Sequence, residues 1–440
     1  MIRINKHTVI GSVALSCLLA ISIGIVIKHK TSTTRKTENV KLIESEKNEF
    51  FNKQQVIEDI DFALNTIKNY HISCIKEVPQ EVLQQKDIEI ANLQETTSTI
   101  EVWKILSRIF AKFHDVHTTT CWPEFLRHKM LSLKIHNVNN RFFCDDDNYK
   151  GAEIIAINKT RIADLYKSFK KHFSFSIEEW PHGNFFDRTF FPAGLLALSN
   201  VDITQPVEIS FKTNQGVIEQ KYRFYEQKLV KEGSLVSYLI DEEKNLGIFH
   251  IGDFDQSCDK IVNRFFADIE KNNIKNIVID WRFWRGSDIA IDFFKKYIKN
   301  FPNSKKLDYK VEKRIGEKIK TIEYGNQSIE EINKLMSDNH LFDGNIYILI
   351  SNENIGAGLD FACFFSDNDL AMVIGEIPGN SPTCFCGDKF FSSPNSHVTF
   401  RTSSMKFYRP DPTKDPIRFT PDILVKAEDA MNEVYKLIKK

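Results

Sequence analysis

Apolar and polar positions change texture several times along the chain. The run from Thr8 to Ile27 (residues 8–27) carries no charged side chain. It is long enough to cross a bilayer, which takes about 20 apolar residues in a helix. Residues 31–47 are polar and charge-rich and read as a linker or stalk. Between residues 49 and 113, Val56, Ile60, Ala63 and Ile67, and then Val102, Ile105, Leu106, Ile109 and Phe110, recur at helical spacing. That spacing predicts two core-facing helices. From 131 to 225 the pattern shortens to strands: 131–135, then 151–159 ending in an Asn158-Lys159 turn, 207–211 and 221–224.

From Gly247 onward apolar runs alternate with amphipathic stretches. Strands are predicted at 247–251, 277–280, 346–350 and 371–375, and helices at 258–271, 289–298 and 356–365. Such alternation means crossover connections and a largely parallel sheet covered on both faces. In open α/β sheets the chemistry collects at the carboxyl ends of the strands. Residues 280–287 and 351–358 therefore fall at the mouth of the expected site.

Length and charge narrow the classes. A chain of 440 residues exceeds the ~250–300 at which one core stops growing, so more than one soluble module is expected. Lys plus Arg equals Asp plus Glu at 59 each, which argues against a nucleic-acid binder. The 35 phenylalanines read as core. Cys74, Cys121, Cys144, Cys258, Cys363, Cys384 and Cys386 lie outside the apolar run at irregular spacing, which gives no disulfide framework. The acidic run at 145–148 lacks the glycine and final glutamate of a calcium loop and reads as a solvated turn. No cofactor and no metal are expected. Arg3 and Lys6 precede the apolar run and Lys28, Lys30, Arg35 and Lys36 follow it. The basic count alone favours a cytoplasmic C-terminal side, whereas the short basic lead resembles an uncleaved signal anchor with the rest exported. The second reading is the expectation adopted: a membrane anchor with the soluble part periplasmic or extracellular.

The motifs then line up in order. A strand ends in Asp280-Trp281-Arg282-Phe283-Trp284-Arg285-Gly286-Ser287. A second leads into Asn354-Ile355-Gly356-Ala357-Gly358-Leu359-Asp360-Phe361-Ala362. Val373-Ile374-Gly375-Glu376 and Asp415-Pro416-Ile417-Arg418-Phe419-Thr420-Pro421-Asp422 follow. Upstream stand Phe113-His114-Asp115-Val116-His117-Thr118 and the 151–159 strand. Over about 57–425 the chain resembles the tail-specific (C-terminal processing) serine peptidases of family S41, tricorn-like subfamily included.

The resemblance implies an S41 peptidase-like (ClpP/crotonase-like) α/β core over 231–440, a small PDZ-like β module over 123–230 and a helical N-terminal segment over 49–122. A linker over 31–48 and the anchor within 1–30 precede them. It implies a serine nucleophile at the start of the helix after the second strand, where amides and helix dipole stabilise an oxyanion. The matching residue is Gly356. His117 matches the base, Asp415 its orienter and Gly286 an oxyanion donor. The lysine base of the processing subfamily falls near Ser381. Val116 and Ser287 depart from the usual glycines.

Three readings follow. In the first, the protein is a degenerate peptidase that binds extended polypeptide, with the β module able to add a peptide strand. In the second, it is an active serine-type peptidase cutting exported proteins through an atypical nucleophile, with Ser351, Cys363 and Ser381 the candidates. In the third and weaker reading, it binds an apolar ligand, as do the same-fold modules of the interphotoreceptor retinoid-binding protein.

Overall fold

The sheet that positions the site is built from apolar strands laid side by side. In a computed structural model, residues 47–186, 188–226, 236–252, 258–282, 294, 297–298, 310–323 and 341–439 are described. The order across this sheet is Val236–Asp241, Leu246–Ile251, Asn276–Asp280, Asn345–Ile350, Met372–Gly375 and Ile423–Leu424. The first pair is antiparallel and the others are parallel. Ile277 pairs with Ile346 and Ile279 with Ile348, so the two predicted central strands are neighbours.

Side chains alternate along these strands with a period of two. Ile277, Ile279, Ile346, Ile348 and Ile350 enter one core, packed against the helices Asp259–Lys271 and Ala357–Asp367. Val278, Tyr347 and Leu349 enter another, covered by the helix Ala430–Ile438. Burial on both faces explains why the strands read as continuous apolar runs.

The N-terminal helices form where expected, as Lys53–Tyr70 and Thr99–Phe110. Asn52 and Gln55 make a reciprocal capping box at the first, with both bonds 3.0 Å. Ser98 caps the second by accepting from the Glu101 N–H. A further sheet runs Gly216–Tyr222, Val207–Thr213, Glu153–Ile157, Arg141–Cys144 and Ile135–Val138. The expected single strand at 131–135 is instead split. Lys129–Leu131 pairs with Phe224–Glu226, and Ile135–Val138 joins the larger sheet, while Leu131, Leu133 and Ile135 all bury as the alternation requires.

The sequence reading did not foresee one sheet. Lys318–Glu323, Lys310–Ile315, Thr399–Tyr408 and Cys384–Ser392 pair antiparallel, and Thr119–Thr120 joins at Phe400 and Arg401. Among the described residues no helix is long and apolar enough to cross a membrane. The run 8–27 and most of the helix expected at 289–298 lie outside the described residues.

Candidate active site

Where the strand Asn345–Ile350 ends, the chain must turn sharply into the helix Ala357–Asp367. Asn354, fully buried, fixes that turn. Its Oδ1 accepts from the Ser351 N–H at 2.7 Å, and its Nδ2 donates to the Trp281 carbonyl at 2.8 Å. The ends of the two central strands are thereby tied together. Gly356 is the residue before the helix, at φ 54° and ψ −127°. L-residues with a side chain rarely adopt that backbone. Among the described residues, beyond its chain neighbours, nothing lies within 4 Å of where a Cβ on Gly356 would stand. Two residues on, Gly358 is required for another reason: a Cβ there would stand 2.8 Å from Trp281 Nε1 and 2.9 Å from Asn354 Nδ2. The result is a tight strand-to-helix elbow whose tip faces open space and carries no side chain.

His117 is built by a different part of the chain. Its N–H donates to Asp115 Oδ1 at 2.9 Å, which holds the backbone. Its Nδ1 lies 2.8 Å from Asp388 Oδ1, so Nδ1–H donates to that carboxylate. Asp388 also accepts from Arg401 Nη1 at 2.7 Å. Burial alone would raise Asp388, but His117 and Arg401 beside it hold its carboxyl below the usual range. His117 Nε2 is shielded from solvent and has no hydrogen-bond partner among the described residues. The ring is therefore oriented from one side and unengaged on the other, as a general base needs to be.

Behind His117 lies a buried ion pair. Asp115 accepts from His71 Nε2 at 3.3 Å and from the hydroxyls of Thr118 and Ser403, each at 2.7 Å. Burial alone would lower His71, but Asp115 and Cys74 beside it together outweigh that and raise it to about 9. Burial would likewise raise Asp115, but its bonds to His71 and Ser403, with the charges of His71 and His117, drive its carboxyl well below the usual range instead. In the imidazolium, Nδ1–H faces the Ser73 hydroxyl at 2.8 Å. The Ser73 N–H, 3.1 Å from the same nitrogen, suits the neutral ring instead.

A line of hydrogen bonds joins the two halves. The Asp115 N–H donates to Ser174 Oγ at 2.7 Å. Ser176 Oγ donates to Asn380 Oδ1 at 2.9 Å, and the Gly379 N–H donates to the Asn354 carbonyl at 2.9 Å.

Asp415, expected to orient the base, is placed elsewhere. It is exposed, and its Oδ1 accepts from the N–H groups of Ile417 and Arg418 at 2.8 and 3.1 Å. Its motif forms a local turn, while Asp388 arrives from the unforeseen sheet. No sequence signal marks Asp388; only the pairing of Cys384–Ser392 with Thr399–Tyr408 brings it to His117. Gly286 and Ser287 lie outside the described residues. The alternative nucleophiles are all buried. Ser351 Oγ donates to the Arg282 carbonyl, Ser381 Oγ donates to Ser176 Oγ at 3.0 Å, and burial pushes the Cys363 thiol up. Asp280 closes its strand in a bidentate pair with Arg282, both bonds 2.8 Å.

Comparison with known proteins bears on the fold. Residues 245–425 match the family model described as Peptidase family S41. No curated protein matches the sequence. Among solved structures, mature CPAF superposes with TM-score 0.59 at 11% identity, over 88% of this chain and 96% of that one. Mature CPAF complexed with lactacystin gives TM-score 0.61 at 10% identity, over 88% and 97%. The photosystem II D1 C-terminal processing protease matches with TM-score 0.45 at 10% identity, over 88% and 97%.

Proposed function

Because residues 245–425 match the model of peptidase family S41, we propose that this chain is a non-catalytic member that binds extended polypeptide in the space over Gly356. One observation carries the reading. The elbow keeps the strained backbone and open space that a nucleophile needs, yet its residue is glycine. Without an Oγ or Sγ no acyl-enzyme forms there. An elbow of this shape still offers helix N–H groups to a peptide carbonyl. The buried and hydrogen-bonded state of Ser351 and Ser381, and the buried thiol of Cys363, count against a substitute nucleophile.

The test uses the purified full-length protein. It should take up no serine-directed fluorophosphonate and leave an unfolded, fluorescently labelled polypeptide uncut, while raising that polypeptide's anisotropy. Robust cleavage abolished by changing Ser351, Cys363 or Ser381 would establish the active-peptidase alternative instead. Unchanged anisotropy would sink the binding reading.

The uncharged run 8–27 and its short basic lead support a second part of the proposal. Residues 8–27 anchor the protein in a membrane, with the chain after Lys47 outside the cytoplasm. Reporter fusions after Lys47 that are active only in the cytoplasm would overturn it.

A further inference from the structure

A hollow of about 640 Å³ opens where the end of the Thr99–Phe110 helix and the turn after it meet the Ile162–His172 helix. Arg108, Lys112, Lys167, Lys170 and Lys171 line it, and no aspartate or glutamate does. A second hollow of about 410 Å³ shares Arg108, Lys167 and Lys171 with it. The acids of the second are engaged: Glu101 holds Lys104 at 2.6 Å and Asp164 holds Arg161 at 2.8 Å. In a chain with 59 basic and 59 acidic residues, a lining of one sign is a local feature.

Some of these cations are already paired. Arg108 forks onto Glu89 at 2.7 and 2.6 Å, and Lys170 reaches Glu178 at 2.6 Å. Lys112, Lys167 and Lys171 have no ion-pair partner among the described residues. The field also reaches His172, which lines the second hollow. Burial first, and then the charges of Arg108, Lys104 and Lys171, push the imidazole of His172 down to about 4. Tyr166, Phe173 and Phe175 add an apolar lining.

The hollow is continuous with the site by sequence and by bonding. Lys112 stands five positions before His117, in the single 3-10 turn Ala111–Phe113. Phe173 directly precedes Ser174, whose hydroxyl accepts the Asp115 N–H at 2.7 Å.

We propose that this groove holds an acidic stretch of the same polypeptide whose neighbouring residues lie over Gly356. The inference rests on the polypeptide-binding reading and names the chemistry of the ligand. A short hollow with three unpaired lysines suits a few carboxylates flanked by an apolar side chain. Duplex DNA, with a charge every ~1.7 Å of axis, asks for a long basic track instead.

The experiment measures anisotropy of two fluorescein-labelled ten-residue peptides with the full-length protein at low salt. One carries four consecutive glutamates followed by phenylalanine, and the other has glutamines in their place. The acidic peptide should bind about tenfold tighter or more, since a few partly screened charge pairs sum to that, and salt should erase the difference. Lys112→Gln, Lys167→Gln and Lys171→Gln together should remove the preference, and Lys112→Glu alone should weaken it. Equal binding of both peptides, or a preference that survives the triple change, would overturn the proposal. So would a ten-nucleotide single strand that binds as tightly with the same lysine dependence. The neutral unfolded polypeptide separates the two readings. If it fails to bind while the acidic peptide binds through these lysines, cleft binding fails and the groove stands. If it binds while the lysines prove irrelevant, only the groove fails.

Discussion

The two sides of the site differ in what they have kept. The His117 side retains side chains. His117, Asp388, Arg401, Asp115 and His71 form a connected set, with every carboxylate engaged. The elbow side retains only backbone: Gly356 holds φ 54° and ψ −127° with open space at its tip. A positive φ is easy for glycine, so the elbow persists without the group it would present. The His117 set holds one buried carboxylate, Asp115, and one half-buried, Asp388, and losing the partner of the buried one would strand a charge. On the proposed non-catalytic reading, stability alone is enough to preserve the His117 side of the site.

The sharpest way to break this comparison is to return a side chain to the elbow. Gly356→Ser should turn fluorophosphonate labelling from none to measurable. It should raise polypeptide hydrolysis by about 10²-fold or more over the native protein if the oxyanion donors are in place. His117→Ala or Asp388→Asn in that background should remove most of the gain, read as initial rates. If His117→Ala leaves the gained rate intact, the preserved side is not a base.

Next in size is the buried pair. Asp115→Asn leaves the His71 charge without its partner and should cost about 3–5 kcal/mol in urea unfolding. A loss under about 1 kcal/mol, the level of a surface pair, would show that stability is not what preserves this side.

The pair also sets a pH dependence. Folding raises His71 from 6.5 to about 9. Its contribution is thus whole below about pH 6.5 and is lost as pH rises through about 9, by about 3 kcal/mol. Folding lowers Asp115, so the same contribution is also lost as pH falls below the ordinary carboxylate range. Urea midpoints from pH 5 to 10 should fall on the alkaline side, and His71→Asn should flatten that fall. The smallest effect belongs to Gly356→Ala. Space is free at the tip, but a Cβ at positive φ should cost about 1–2 kcal/mol, measured as a lower melting temperature.

The sequence made the parallel core legible because strands buried on both faces write themselves as apolar runs. Ile277–Ile279 and Ile346–Ile350 are such runs, and their pairing follows. Gly356 was legible because the elbow is a local turn between a readable strand and a readable helix. Asp388 was not. Its strand, Cys384–Ser392, is half-buried along almost its whole length and so carries no alternation. Asp415 drew attention as part of a motif, yet its carboxylate is spent on its own turn. The His71–Asp115 pair was hidden because neither residue type announces burial.

The bond between His117 and Asp388 joins residues 271 positions apart. Contacts of that separation carry a loop-closure entropy that must be met before they give any return, which makes them slow to form. The imidazole can find its carboxylate only after Thr119–Thr120 and Cys384–Ser392 have both docked onto Thr399–Tyr408. During synthesis, His117 emerges long before its partner exists. A chain stopped short of residue 388 contains the whole N-terminal helical segment and the β module but leaves His117 without its orienting carboxylate. The His117–Asp388 pair therefore cannot be complete until the C-terminal part of the chain has arrived.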